Sequence, residues 1–374
     1  MGRVVLIGCG FVADLYMRSF RLMPGITVQG AFDRDPVRLA AFCAHWGIAA
    51  LPDLAAALAA AGPGGVVANL TNPDSHVAVT GAALAAGCHV WSEKPMTLTL
   101  ADACALHRQA AAAGLILASA PASVLGAAAQ TLARAVRQGV CGTPRLIYAE
   151  LDDGFVPQAP FRQWTSESGA PWPAADEFRT GCTLEHAGYY LSWLIAMFGP
   201  VRTVVAASAC TIPDKPDAPG PTPDVSVATL FFHAGPVARL TCSIVAPHDH
   251  RIRVVGDTGV VEVARAWDNA APVRFRRRFA LRRRLLESPL ARRIRLPGGS
   301  HPMVPRTGAA AMNFALGPAE VLDAAREGRA CRLGGAYALH LTEVTLAIQA
   351  AGEATGAQAM TTTCTMMEPM PWAR

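Results

Sequence analysis

Lysine is almost missing from this chain. Of 33 basic residues, two are lysine, Lys94 and Lys215, and the rest are arginine. A guanidinium stays charged at any workable pH, whereas an ε-ammonium is compact and titrates when burial tunes it downward. Lys94, in "HVWSEKPMTL", therefore marks either a place where arginine would not serve or mere chance, since two lysines must fall somewhere. Lys215 falls in the Pro/Asp stretch "TIPDKPDAPGPTPD", which shows no evident chemistry. Paired cysteines are missing too. Ten cysteines are scattered with no C-x-x-C spacing, which argues against a zinc site or a thioredoxin-like pair. No Cys/His cluster or acidic pair signals a metal, and none is expected. Unpaired cysteines suit a reduced, cytoplasmic protein, and the opening residues read as a strand without a basic leader or cleavage site. The charge-free run from Gln109 to Ala133 is broken by Pro121 and Gly126. It reads as a helix end, a buried strand and a new helix rather than a membrane span. Charged residues make up 16% of the chain, and its formal +5 is local. Arg274 to Arg295 holds ten arginines and one acid, Glu287, so the remainder is net acidic. That balance excludes a chain that coats nucleic acid.

What is present is a chain of 374 residues, 52% hydrophobic, long enough for two domains. "RVVLIGCGFVADLYMRSF" is an apolar run, a glycine turn and a helical period. Gly8, Gly10 and Ala13 fit G-x-G-x-x-G/A, in which the loop and the following helix N-terminus form an anion site, here including Phe11 and Val12. A second strand, "TVQGAFD", ends in Asp33, placed to accept ribose hydroxyls. Arg34, next to it, suits a 2′-phosphate, so NAD and NADP both stay open. Helices are expected near 36–46, 53–61, 75–87 and 99–113, alternating with strands "IAAL", "GVVANL", "CHVWSE" and "LILASA". Continuous apolar strands between amphipathic helices predict a parallel sheet covered on both faces. Ligands bind at the carboxyl ends of such strands. Three loops then share one crevice: the glycine turn, "TNPDSH" with Thr71, Asn72 and His76, and "SEKP" with Glu93 and Lys94.

These stretches, with "GCHVWSEKPMTL" the most specific, resemble the Gfo/Idh/MocA family (glucose–fructose oxidoreductase, inositol dehydrogenase and relatives). Later matches are "RLIYAELDDG", "RVVGDTGVVEV" and "FALGPAEVLDAAREGR". The resemblance implies an α/β protein: an N-terminal Rossmann doubly wound parallel sheet and a C-terminal α+β domain with an open, mostly antiparallel sheet. The division is expected at 1–122 and 123–374, with an Arg-rich insert about 264–300. The resemblance further implies NAD or NADP, hydride transfer at a carbon bearing oxygen, Lys94 at that oxygen, Glu93 at the ribose, and a cis bond before Pro95. A homo-dimer or homo-tetramer is expected from the same source.

One stretch departs from the family pattern G-G-x-L-x-D-x-G-x-H. Here it reads "GCTLEHAGYY", so His186 and Tyr190 replace the Asp and His. Three arrangements satisfy these residues. Tyr190 handles the proton, its phenol (pKa about 10) lowered by Lys94; or His186 does so while Tyr190 positions substrate; or the two merely hydrogen-bond at a helix surface. Upstream, "GFVPQAPFRQWTSESGAPWPAADEFRTG" has the make-up of a lid, with Trp164, Trp172, Phe178 and Arg162 or Arg179 facing a substrate or simply packing the loop down. "TVVAASACTI", "VSVATLFFHAG", "PVARLTCSIVAP" and "RIRVVGDTGVVEVA" read as strands divided by turns. The Arg-rich segment suits a solvated amphipathic element, phosphates of a nucleotide-linked substrate, anionic lipid headgroups, or acids on a sister subunit. The expected function is an NAD(P)-dependent oxidoreductase acting on a sugar, cyclitol or nucleotide-sugar-like substrate, with Lys94, Tyr190 and His186 catalytic. The alternatives are a non-catalytic dinucleotide-binding regulator, or a redox-neutral glycoside-cleaving enzyme with tightly held NAD.

Overall fold

The computed structural model describes residues 2–216, 218 and 220–374. The first half alternates as its apolar runs predict: β1 (Gly2–Ile7), α1 (Phe11–Phe20), β2 (Ile26–Phe32), α2 (Pro36–Trp46), α3 (Leu54–Ala61), β3 (Val66–Asn69), α4 (His76–Ala85), β4 (His89–Ser92), α5 (Leu100–Ala112) and β5 (Leu117–Ser119). The helices begin where caps allow. Asp35 accepts from the amides of Val37 and Arg38, and Asp53 from that of Ala56. The expected strand at "IAAL" does not form; Ala50 makes a single bridge to Ala31, because Leu51 turns at once into the cap of α3.

The strands form a parallel sheet in the order β2-β1-β3-β4-β5. Val4, Val5, Val66, Val67, Val90 and Trp91 are all inaccessible to solvent, as a sheet covered on both faces requires. The register sets Ile7 beside Phe32 and Asn69, Asn69 beside Ser92, and Ser92 beside Ser119. The strand ends are therefore level, and the loops that follow them stand in one row.

The second half contains α6 (Ala127–Arg137), β6 (Pro144–Phe155), α7 (Ala174–Thr180), a π-type turn over Thr183–Ala187, α8 (Gly188–Phe198), β7 (Val201–Ala209), β8 (Val225–Phe232), β9 (Val237–Ser243), β10 (Val245–Asp249), β11 (Ile252–Gly256), β12 (Gly259–Val263), β13 (Val273–Leu281), β14 (Arg284–Glu287), β15 (Arg292–Ile294), α9 (Leu316–Glu327), α10 (Ala336–Gln349) and β16 (Gln358–Ala359). These strands make one sheet in the order β14-β13-β12-β11-β6-β9-β8-β7-β16, with β10 on β6 and β15 on β13. β6 and β9 run parallel, and the other neighbours run antiparallel. The Arg-rich segment is the edge of this sheet, a hairpin of β13 and β14. Its charges meet partners on the same sheet: Arg276 of β13 pairs with Glu262 of β12 at 3.1 Å, and Glu287 of β14 pairs with Arg253 of β11 at 3.3 Å. The two halves interlock. Helix α9, which a division at 122/123 assigns to the second domain, packs on β3 and β4. A Cβ on its Gly317 would stand 2.3 Å from the Trp91 ring. Among the described residues no helix is long and apolar enough to cross a membrane.

Lys215, unremarkable as sequence, is buried. Its Nζ lies 3.0 Å from Asp224 Oδ2 and donates to the carbonyls of Ile212 and Thr222 at 2.9 and 2.8 Å. Removing one partner of a buried pair strands the other charge, at a cost of about 3–5 kcal/mol. Asp224→Ala is expected to lose about that much unfolding free energy in a urea titration; a loss below about 1 kcal/mol would show the pair is not stabilising the loop.

Candidate active site

A cavity of about 650 Å³ opens between the carboxyl edge of the parallel sheet and the facing elements of the second half. Its first wall is the glycine turn. Gly8 has φ +100°, and a Cβ there would lie 2.6 Å from the Leu70 carbonyl oxygen, so the tight turn excludes any side chain. Gly10 has nothing within 4 Å of where a Cβ would stand, and as the N-cap of α1 it offers no side chain to the first amides. The helix N-terminus is thus left free to meet an anion. Phe11 and Val12 line the same wall, while Ala13 is buried beneath it, giving the close helix–strand packing the pattern requires. Asp33 accepts the amides of Cys9 and Asp35 at 2.8 and 2.9 Å. Arg34 lines the cavity next to it, and Arg38 approaches Asp33 at 3.7 Å. These residues fit a dinucleotide: a cradle for pyrophosphate, then a fixed carboxylate for ribose. Thr71 and Asn72 continue the wall.

His76 does not reach the cavity, which corrects its expected place among cofactor contacts. Its ring is buried, with Nδ1 2.7 Å from the Pro95 carbonyl and Nε2 2.9 Å from that of Thr71. It ties the "TNPDSH" loop to the "SEKP" loop. Glu93 is held from behind: Trp91 Nε1 donates to Tyr16 Oη, and Tyr16 Oη donates to Glu93, both at 2.6 Å. The other Glu93 oxygen accepts the Lys94 amide at 3.0 Å. The Lys94–Pro95 bond is cis.

The Lys94 ammonium crosses the cavity to the second half. It pairs with Glu185 in the π-type turn and stands 4.0 Å from Glu177 of α7. Burial by itself would lower the Lys94 pKa, but the carboxylates of Glu177 and Glu185 outweigh it and hold the value well above the ordinary one. The expectation of a lysine tuned downward is therefore reversed: two acids keep it protonated. The proton question passes to Glu185. Burial, reinforced by Glu177, pushes its carboxyl up to about 8 against the pull of Lys94. Two carboxyls, Glu185 buried and Glu177 half-buried, facing one ammonium cannot both ionise cheaply at neutral pH.

Tyr190 is a second correction. It is fully buried, its hydroxyl has no hydrogen-bond partner among the described residues, and it does not line the cavity. Tyr189 lines it instead. Glu185 and Tyr189 are one turn apart and take the centre of the face turned to the crevice. Tyr190 lies about 100° further round, among Asp249, Asp153 and Cys242 of the second sheet, where burial raises its pKa strongly. Burial also raises the Tyr189 pKa, with Lys94 opposing, so the phenol keeps its proton. His186 does reach the cavity. It stacks on Trp267 with centroids 5.8 Å apart, and burial lowers its pKa, leaving a neutral imidazole. Of the lid residues, Trp164 and Trp172 line the cavity and pack edge-on at 5.2 Å; Phe178 is buried against Trp172. Arg179 is a third correction: it is exposed, does not line the cavity, and pairs with Asp74 and Asp176 at 3.0 and 2.5 Å. No arginine of 274–295 lines the cavity, so that segment does not meet a substrate phosphate there.

Sequence reasoning missed Glu177, Glu185, Tyr189, Trp267 and Asp153, all on the cavity wall. The i, i+4 spacing of Glu185 and Tyr189 was a readable signal. It also read no metal motif, whereas Asp153, His248 and His250 place three donor atoms within 4.8 Å of one another.

Residues 2–120 match the oxidoreductase family with an NAD-binding Rossmann fold, and residues 129–262 match the GFO/IDH/MocA C-terminal domain. The chain is 28% identical over 242 residues to D-apiose dehydrogenase of Paraburkholderia graminis, a match spanning 64% of this chain and 59% of that protein. An inositol dehydrogenase homologue from Azotobacter vinelandii, solved with NADH and myo-inositol, superposes with a TM-score of 0.73 at 16% identity, covering 96% of this chain and 97% of the other. UDP-N-acetylglucosamine 3-dehydrogenase of Acidithiobacillus ferrooxidans gives 0.70 at 21%, covering 94% and 97%. At these identities the structures speak for the fold.

Gly8→Ala is expected to weaken NADH binding at least tenfold in a fluorescence titration, with far-UV circular dichroism retained. Binding unchanged by the substitution would contradict the cradle.

Proposed function

Because the chain belongs to the Gfo/Idh/MocA family of NAD-binding oxidoreductases, we propose that it moves hydride between NAD and an oxygen-bearing carbon of a sugar, cyclitol or nucleotide-sugar-like substrate. The observation that carries this reading is the Lys94 ammonium, held charged by Glu185 and Glu177 between the dinucleotide cradle and the second half of the cavity. When bound, the nicotinamide supplies the two-electron hydride acceptor or donor. Gly8, Gly10 and the amides opening α1 hold the pyrophosphate, and Asp33 holds the adenosine ribose. That carboxylate favours NAD, since a 2′-phosphate would meet it head on.

The chain's own part is to place the substrate and move one proton. Trp164 and Trp172 offer flat apolar faces to a sugar ring and exclude water. Lys94 donates a hydrogen bond to the substrate oxygen and stabilises the negative charge that gathers there as the C–H bond breaks. In alcohol oxidation the hydroxyl proton passes to Nζ as an Nζ proton passes to the Glu185 carboxylate. The alcohol thus loses a hydride and a proton and becomes a carbonyl, and Glu185 ends protonated. Carbonyl reduction runs the same path backwards. Tyr189 and His186, on the same cavity wall, donate and accept hydrogen bonds that orient neighbouring hydroxyls.

Three outcomes check this. Lys94→Ala should keep NADH affinity within about twofold and lose about 10²–10⁴ in kcat; unaltered turnover would sink the assignment. Tyr189→Phe should lower kcat/KM for a polyol at least tenfold, while Tyr190→Phe, which removes an unpaired buried hydroxyl, should leave it within about twofold; the reverse order would contradict the assignment of the face. Below pH 8 the Glu185 carboxyl holds its proton and cannot accept another. Alcohol oxidation should therefore rise with pH to a plateau above an apparent pKa of about 8, carbonyl reduction should fall over the same range, and Glu185→Gln should abolish this limb.

A further inference from the structure

We propose that Asp153, His248 and His250 bind a divalent first-row transition ion of the zinc class, and that its open positions face the substrate end of the cavity. The donor set comes from two adjacent strands. In the antiparallel pairing of β6 and β10, Ala246 stands opposite Gly154 and Asp249 opposite Asp152. Pro247 and His248 therefore share the one place opposite Asp153. Such a bulge re-aims a side chain, here swinging His248 over Asp153. His250, two residues on, returns to the same side.

The distances are those of ligands around a common centre. Asp153 Oδ1 lies 3.3 Å from His250 Nε2 and 3.9 Å from His248 Nε2. A tetrahedral ion with bonds of about 2.0–2.1 Å holds its donor atoms about 3.4 Å apart. A hydrogen-bonded His–Asp pair does not account for the arrangement. His250 is only 4% exposed, yet Nε2 has no hydrogen-bond partner among the described residues, although Asp153 is within reach. Nitrogen and oxygen are close but misaligned with each other, as two donors are when both point to a third atom. His186 adds a further unpartnered buried nitrogen, Nδ1, 4.0 Å from the other Asp153 oxygen. Two imidazoles and one carboxylate suit zinc, cobalt or iron, and leave positions open for oxygen ligands. Asp153 and His186 line the cavity, so those positions face the substrate. A metal there would coordinate vicinal oxygens of a polyol while Lys94 serves the reacting one.

The site for the ion stands on its own geometry; its role toward substrate rests on the dehydrogenase reading. The chelator-treated full chain is titrated with Co²⁺ and followed by visible absorption and calorimetry. One Co²⁺ per chain is expected, with a d–d band that Zn²⁺ removes. His248→Ala, on a largely exposed side chain, and Asp153→Asn should each weaken uptake at least tenfold with circular dichroism unchanged. Lys94→Ala should bind Co²⁺ as the parent does, which separates this site from the fate of the catalytic assignment. No stoichiometric uptake by the parent chain, or uptake undiminished in His248→Ala, would overturn the site. A cobalt band unmoved by millimolar polyol would overturn its role toward substrate.

Discussion

One ion cluster joins the two halves of this protein. Lys94 leaves the end of a parallel strand and meets Glu185 and Glu177, which belong to a turn and a helix of the other half. A lone buried ammonium would be expensive, and so would either carboxylate. Together they offset one another except for one excess negative charge, which a proton neutralises on Glu185 up to about pH 8. The same cluster thus fixes the closure of the cleft and stores a proton beside the place where an oxygen must gain or lose one.

The surrounding structure serves that cluster. The level strand ends deliver the glycine turn, Asp33, Thr71 and Glu93 along one row. Trp91 and Tyr16, bonded in series to Glu93 from behind the cavity, and the His76 ring hold the "SEKP" loop in shape. Such buried, fully bonded polar groups stiffen a site, and they let Lys94 present its charge without a search through rotamers. Helix α9, with Gly317 laid against Trp91, packs the second half onto the strand that carries this loop.

The first half was legible because its signals are local. Apolar runs, Asp caps and glycine turns each act within a few residues, and the parallel sheet follows from them. "IAAL" misled because four apolar residues can mark a strand or simply the approach to a capped helix. The scarcity of lysine pointed to Lys94, but its charge state depends on Glu177 and Glu185, more than eighty residues away, and no local pattern carries that information. Tyr190 was chosen by motif register; Tyr189 reaches the cavity because the crevice face is centred on Glu185. The His-x-His that ends β10 and runs one residue past it gains meaning through a bulge opposite Asp153, a pairing nearly a hundred residues apart in sequence. Lys215 looked idle since its partner, Asp224, lies across a loop that only folding closes.

The most direct measurement is a crystal structure of the chain with NAD⁺ and a turned-over polyol. In that complex the nicotinamide ring should lie against the "SEKP" loop, with Lys94 donating to the substrate oxygen while still paired with Glu185. A nicotinamide seated away from Lys94, or a Lys94 ammonium turned out to solvent in the complex, would contradict it.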